Sequence, residues 1–283
     1  MAQFTNRAQL RYNDQVMNSN VAVGEVLDVL SATKTAVVNT YSRNGRVTYV
    51  ISVINSGTTD VTSRTISDNL GAYEFSGATL VPLTYIDNSV RYYVNGVLQP
   101  APTVTAGNGL TISGITIPAG GNATVIYEAN INNFAPLGTA DFITNTATIT
   151  GTGANAVTAS TTINTNDEPE LSITKSISPV PVNANGRVTY TLTLQNYGNT
   201  AVALNDSAVV TDTFNPLLTN IAVNFNGTTW APTTNYTYDE TSGVFSTVAG
   251  QITVPAATYT QNADGSFSVT PGVSTLTITG NIQ

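Results

Sequence analysis

Two side chains stand out as candidates for chemistry. Lys34 and Lys175 are the only lysines in a chain of 283 residues, and both follow a threonine within strand-like sequence. In Leu171-Ser172-Ile173-Thr174-Lys175-Ser176-Ile177 the lysine falls on the face of Leu171, Ile173 and Ile177, because strand side chains alternate. Leu30, Ala32, Lys34 and Ala36 share a face in the same way. A lysine on an apolar face needs a partner, since burying a lone ammonium is costly.

The same parity finds acids and amides. Asp68 lies with Ile66 and Leu70, and Asp212 with Val210 and Phe214. Asn145 lies with Ile143, Ala147 and Ile149, and Asn6 with Phe4, Ala8, Leu10 and Tyr12. Lys, Asp and Asn on facing inner strands of a dry sandwich are the ingredients of a spontaneous isopeptide bond. Burial lowers the lysine pKa to give a neutral nucleophile and raises that of the aspartate, which then donates to the Asn carbonyl. The amine attacks, ammonia leaves and an amide crosslink remains. The competing arrangement is a buried Lys–Asp ion pair with the asparagine bonded to backbone. Glu128 is a rival acid in the first half of the chain; it aligns with Thr279, so it serves at most one half.

These residues belong to a repeat. Asn44-Gly45-Arg46-Val47-Thr48-Tyr49 returns as Asn185-Gly186-Arg187-Val188-Thr189-Tyr190, and Thr33-Lys34 returns at the same offset as Thr174-Lys175. Period-two alternation dominates both halves, Asn95-Gly96 and Asn226-Gly227 are hairpin turn signals, and no segment has helical periodicity. The expected fold is all-β, with two tandem immunoglobulin-like sandwiches over residues 25–166 and 167–283 and an N-terminal donor strand segment over residues 1–24.

The termini are out of phase with the repeat. The opening stretch Phe4–Tyr12 resembles the closing strand Phe142–Ile149 of the first domain, and nothing comparable follows Leu276–Ile282 in the second. The expectation is that the second sandwich lacks its closing strand and takes one from a neighbour, residues 1–23 being disordered until they insert. Asn6 would then meet Lys175 and Asp212 of another subunit, with Phe4, Ala8, Leu10 and Tyr12 facing its core. A fragment cut arbitrarily from a longer repeat protein would also show this phase.

Composition limits the alternatives. With no Cys and no His, the chain forms no disulfide, no thiolate or imidazole metal site and no Ser-His-Asp relay. Nine Lys plus Arg against seventeen Asp plus Glu give a net charge of -8, which offers no basic surface to nucleic acid. No apolar run is long enough for a membrane span, and the first residues lack a classical signal peptide. No cofactor is expected. Asn55 and Asn196 sit in Asn-x-Gly turns; Asp167, Glu168 and Glu170 read as an acidic linker, not a calcium site; Tyr92, Tyr93, Trp230, Tyr236 and Tyr238 read as core aromatics, not a sugar platform.

The Thr-Lys strands, the Asn-x-Gly turns, Ser67-Asp68-Asn69-Leu70 with Thr211-Asp212-Thr213-Phe214, and the Thr-Asn-Thr-Ala-Thr strand together resemble the conserved Ig-like repeat of Gram-positive surface proteins, which is related to the fimbrial isopeptide-forming domains. The resemblance implies a surface or fibre protein with Lys in the first strand, Asn in the last and an acid between. The sequence therefore points to a structural subunit, not an enzyme, that polymerises with itself head to tail outside the cell or on a spore surface, with any anchor or tip protein unspecified. The alternative readings are an adhesin or binding module and, more distantly, a glycosidase built on two carboxylates.

Overall fold

The computed structural model describes residues 2–26, 28–152 and 154–283, giving the backbone alone for residues 2–4, 25 and 26. The chain is all-β among the described residues apart from one 3-10 turn at Leu204–Asp206. It divides into two compact units, one formed by Met1–Ala135 with Phe142–Asn164, the other by Pro136–Asp141 with Thr165–Gln283.

The first unit is a sandwich of two six-stranded sheets. One sheet carries Leu30–Ala36, Arg46–Asn55 and Asn122–Ile131 as antiparallel neighbours. The other carries Leu110–Ile117, Val61–Asp68, Phe142–Thr150 and Val157–Thr165 in that order. Alternation explains the packing: Val47, Tyr49, Ile51 and Val53 are buried from one sheet and Ile143, Asn145, Ala147 and Ile149 from the other, while their neighbours in sequence are less covered. The paired strands Phe142–Thr150 and Val157–Thr165 form a closing hairpin, with Asn145 opposite Thr161 and Ile149 opposite Val157.

Arg64 secures that hairpin. Its side chain is fully buried, and its guanidinium donates to the backbone oxygens of Ile149 at 3.1 Å, Ala154 at 3.1 Å and Asn155 at 3.0 Å. A planar fork of five donors suits a curled loop whose carbonyls have no strand partner. Asn95 and Asn226, at φ 48° each, turn their hairpins as the Asn-Gly pairs foretold.

The second unit repeats the first sheet. Leu171–Ser178, Arg187–Asn196 and Gly272–Ile282 are neighbours, with Lys175 opposite Leu192 as Lys34 is opposite Ile51. A three-stranded sheet carries Thr211–Thr213, Val244–Thr247 and Tyr236–Tyr238 in that order, so Thr211–Thr213 is an edge among the described residues. The core is Leu192, Phe214, Val223, Phe225, Trp230, Phe245, Leu276 and Ile278 with their neighbours.

One expectation fails. The N-terminal segment is not disordered: Ala2–Asn6 pairs with Ala22–Val26, and Gln9–Tyr12 pairs with Gln15–Asn18. Asn13 takes φ 51° and turns the chain within two residues, so the alternating segments on either side satisfy each other's backbone groups. The result is a ribbon whose described side chains are almost all exposed, Leu10 and Tyr12 included.

Candidate functional site

In the first unit the predicted residues meet. Lys34 comes from the edge strand of one sheet, Asp68 and Asn145 from paired strands of the other. The Lys34 Nζ donates to Asp68 Oδ2 at 2.5 Å, and both side chains are wholly enclosed. Asp68 Oδ1 accepts the Leu70 amide at 3.0 Å, which fixes the carboxylate plane.

Two tyrosines complete the cluster, and sequence reading missed both. The Tyr127 hydroxyl donates to Asp68 Oδ2 at 2.7 Å and accepts from Asn145 Nδ2 at 2.8 Å, so it bridges acid and amide. Tyr49 stacks on Tyr127 with ring centroids 5.4 Å apart, and the Lys34 Nζ lies 5.0 Å from the Tyr49 centroid. A signal existed: Tyr127 shares its inward parity with Val125 and Ala129, and Tyr49 with Val47 and Ile51.

Burial lowers the Lys34 pKa to about 8 against the opposing pull of Asp68. It pushes the Tyr49 and Tyr127 hydroxyls upward, so both remain protonated donors. The Asn145 Oδ1 and the Tyr49 hydroxyl are buried without a hydrogen-bond partner. An orphaned buried acceptor costs about 1–3 kcal/mol.

Glu128 does not compete. It points away from the cluster and pairs with Arg46 at 3.3 Å on the partly exposed face. Asn55 and Asn196 are both fully buried turn residues: their Oδ1 atoms accept the amides of Gly57 and Gly198 at 2.9 Å each, and their Nδ2 atoms donate to backbone carbonyls. Tyr92, Trp230 and Tyr236 are buried; Tyr93 and Tyr238 are half-buried. Asp167 accepts from Thr165 and Asn199 within its own unit, and no group of three or more potential metal ligands occurs among the described residues.

The second unit has half of this site. Lys175 Nζ meets Asp212 Oδ2 at 2.5 Å, and lies 4.5 Å from the Tyr190 ring centroid. The difference is cover: the Lys175 side chain is 38% exposed where that of Lys34 is 0%. Its whole strand is open, with Leu171 54% and Ile173 55% exposed. Leu171 and Ile173, with Leu194, Ala208, Val210 and Ile252, line an apolar groove of about 200 Å³. Covering one such side chain is worth about 1.5–3 kcal/mol. Asn6 belongs to the exposed ribbon of the first unit and sits in neither cluster; the Phe4 side chain lies outside the described residues.

No protein-family model matches the chain, and no curated protein does. Similar solved structures include Gram-positive pilins and adhesin domains. The pilus backbone RrgB of Streptococcus pneumoniae is 13% identical, over 86% of this chain and 55% of its own, at a TM-score of 0.35. The major pilin subunit BcpA of Bacillus cereus is 10% identical over 95% of this chain and 73% of its own, at 0.35. A collagen-binding domain from a Staphylococcus aureus adhesin is 13% identical over 47% of this chain and 96% of that domain, at 0.30. The chain thus spans about half the length of the RrgB structure. These are likenesses of all-β architecture.

Proposed function

We propose that the chain is a structural subunit of an extracellular or spore-surface filament, joined head to tail by strand exchange and fixed by Lys–Asn isopeptide bonds. One contrast carries the reading. The first unit encloses Lys34, Asp68 and Asn145 beneath a closing hairpin, whereas the second leaves Lys175 and Asp212 open beside an apolar groove. The ribbon supplies the matching face: Asn6, Ala8 and Leu10 have the spacing of Asn145, Ala147 and Ile149.

The chemistry follows from the first cluster. With a pKa of about 8, roughly a tenth of the Lys34 amine is neutral at pH 7. The Nζ lone pair attacks Asn145 Cγ and the C=O π electrons move onto Oδ1. The amine gives its next proton to the Asp68–Tyr127 pair, and the pair delivers one to Nδ2, which Tyr127 already contacts. The C–N bond breaks and ammonia departs, so lysine ammonium and carboxamide become a secondary amide and ammonium. No metal or cofactor takes part. At the junction, Lys175 and Asp212 would act on Asn6 of the next subunit. The filament is thus its own partner, and a separate anchor or tip protein would be needed only at its ends. No helix among the described residues is long and apolar enough to cross a membrane.

Electron microscopy of the purified protein alone, followed by boiling in detergent, tests the reading. Filaments that persist as a ladder of covalent multimers are expected. A uniform population of monomers at high concentration would overturn it.

A further inference from the structure

We infer that the donor is a two-stranded hairpin and not a single strand: residues 2–26 enter the next subunit's second unit as a folded ribbon. The inference rests on the strand-exchange reading above and concerns what crosses the junction.

The first unit shows what a closed sandwich requires. Its closing element is the hairpin Phe142–Thr150 with Val157–Thr165, and the outer strand also contributes to the core through the buried Ile163. The ribbon repeats this element strand for strand. Asn6 stands opposite Ala22 as Asn145 stands opposite Thr161, and Leu10 opposite Met17 as Ile149 opposite Val157. Directly opposed residues point to one side of a sheet, so Asn6, Leu10, Met17 and Ala22 form a single face. Its two register blocks differ by one residue, taken up near Ser19, whose amide donates to the Ala8 carbonyl and whose hydroxyl accepts from the Ala8 amide. Leu10 and Met17 are 62% and 49% exposed, so this face has no core in its own subunit.

The receiving side carries a complementary change. Counting back from Asp68 and Asp212, Arg64 corresponds to Ala208. Arg64 exists to hold the curled loop of an internal hairpin. The ribbon has no such loop, because its strands are joined by Asn13 and Asp14 alone. An arginine at 208 would then bury a guanidinium without acceptors; an alanine there lines the apolar groove instead. Val180, at the repeat position of Asn39, is 75% exposed; in the first unit the Asn39 carbonyl accepts from the outer strand of the closing hairpin at 2.9 Å. The second unit therefore has an uncovered place for the outer strand as well as for the inner one.

A disulfide staple tests this, since the chain has no cysteine to interfere. Gln9 and Asn18 are directly opposed on the outward face, with side chains 3.2 Å apart. The variant Gln9→Cys with Asn18→Cys, oxidised before assembly, locks the ribbon closed. Intact insertion predicts that the stapled protein polymerises within about twofold of the reduced form and gives the same covalent ladder. A stapled protein that stays monomeric and polymerises only on adding reductant would overturn the hairpin while leaving strand exchange standing. Failure of the unmodified protein to polymerise would remove both. Should the first pair of substitutions stop assembly in either redox state, the staple Thr5→Cys with Val23→Cys, on the same outward face, decides by the same comparison.

Discussion

Tyr127 and Ile278 occupy the same point of the two units, each directly opposite the repeat tyrosine, Tyr49 in one case and Tyr190 in the other. The phenol that bridges acid and amide in the first unit is therefore a hydrocarbon in the second. In the proposed junction, Asp212 would meet the incoming amide without an intermediary. Tyr127→Phe removes the bridge while keeping the ring, and should slow closure of the first crosslink at least tenfold, read as the time course of ammonia loss in the intact mass of freshly refolded protein. An unchanged rate would show that Asp68 reaches Asn145 unaided.

The proposed crosslink would be visible by mass. The wild-type protein should weigh one ammonia less than its sequence, whereas Lys34→Ala and Asp68→Ala should each weigh what their sequences predict. The bond closes a loop of about a hundred residues, so its absence should cost on the order of 4–5 kcal/mol of first-unit stability in the chain-entropy picture. An unmodified Lys34 in a tryptic map of the folded wild type would dispose of the crosslink.

The buried amine sets a pH dependence. The Lys34 pKa falls from 10.5 to about 8 on folding because burial disfavours the ammonium. In protein isolated unfolded before reaction and then refolded, the rate should rise about tenfold per pH unit up to about 8 and level off above it. Stability of the unreacted form should rise between pH 8 and 10.5, where the unfolded chain holds a proton that the folded one has released. A rate that keeps climbing to pH 10 would place the amine in water.

Much of this site is legible in sequence, because strand parity is a strict period of two. Lys34, Asp68 and Asn145 could each be assigned inward from apolar neighbours alone, although 34 and 111 residues separate them from Lys34. Tyr127 and Tyr49 had the same parity but were hidden by it, since an inward tyrosine looks like any core aromatic until its hydroxyl is placed. The ribbon was missed for another reason. Asn13-Asp14 is a weaker turn signal than Asn-Gly, and a segment expected to insert as one strand offered no cause to look for a partner in the next twelve residues. Arg64 was passed over because a lone arginine in a strand gives no hint that four backbone carbonyls await it.

The junction should be separable into insertion and bonding. Lys175→Ala, Asp212→Ala and Asn6→Ala should each still give filaments by microscopy that fall to monomers on a denaturing gel. Wild-type filaments that also run as monomers would refute the covalent junction and leave the strand exchange intact.

Removing the donor should poison growth. A chain lacking residues 2–23 can accept a ribbon but has none to give, so it should stay monomeric alone and shorten filaments when mixed with wild type in proportion to its share. Filament lengths indifferent to its presence would separate these residues from assembly.

Because Lys34 lies on the first strand of its unit and Asn145 on the closing one, the proposed bond between them would reroute any tension along a fibre. Force entering at Asn6 would run to Lys34, cross to Asn145, continue to Lys175 and pass to the next subunit. The sandwich residues from 35 to 144, and all those beyond 175, hang beside this path and not in it. Stretching such a fibre would therefore extend only two short tethers per subunit, residues 7–33 and 146–174. Its elasticity would come from peeling a ribbon and a hairpin, with the buried Ile149 and Ile163 among the residues pulled, and its breaking strength from amide bonds.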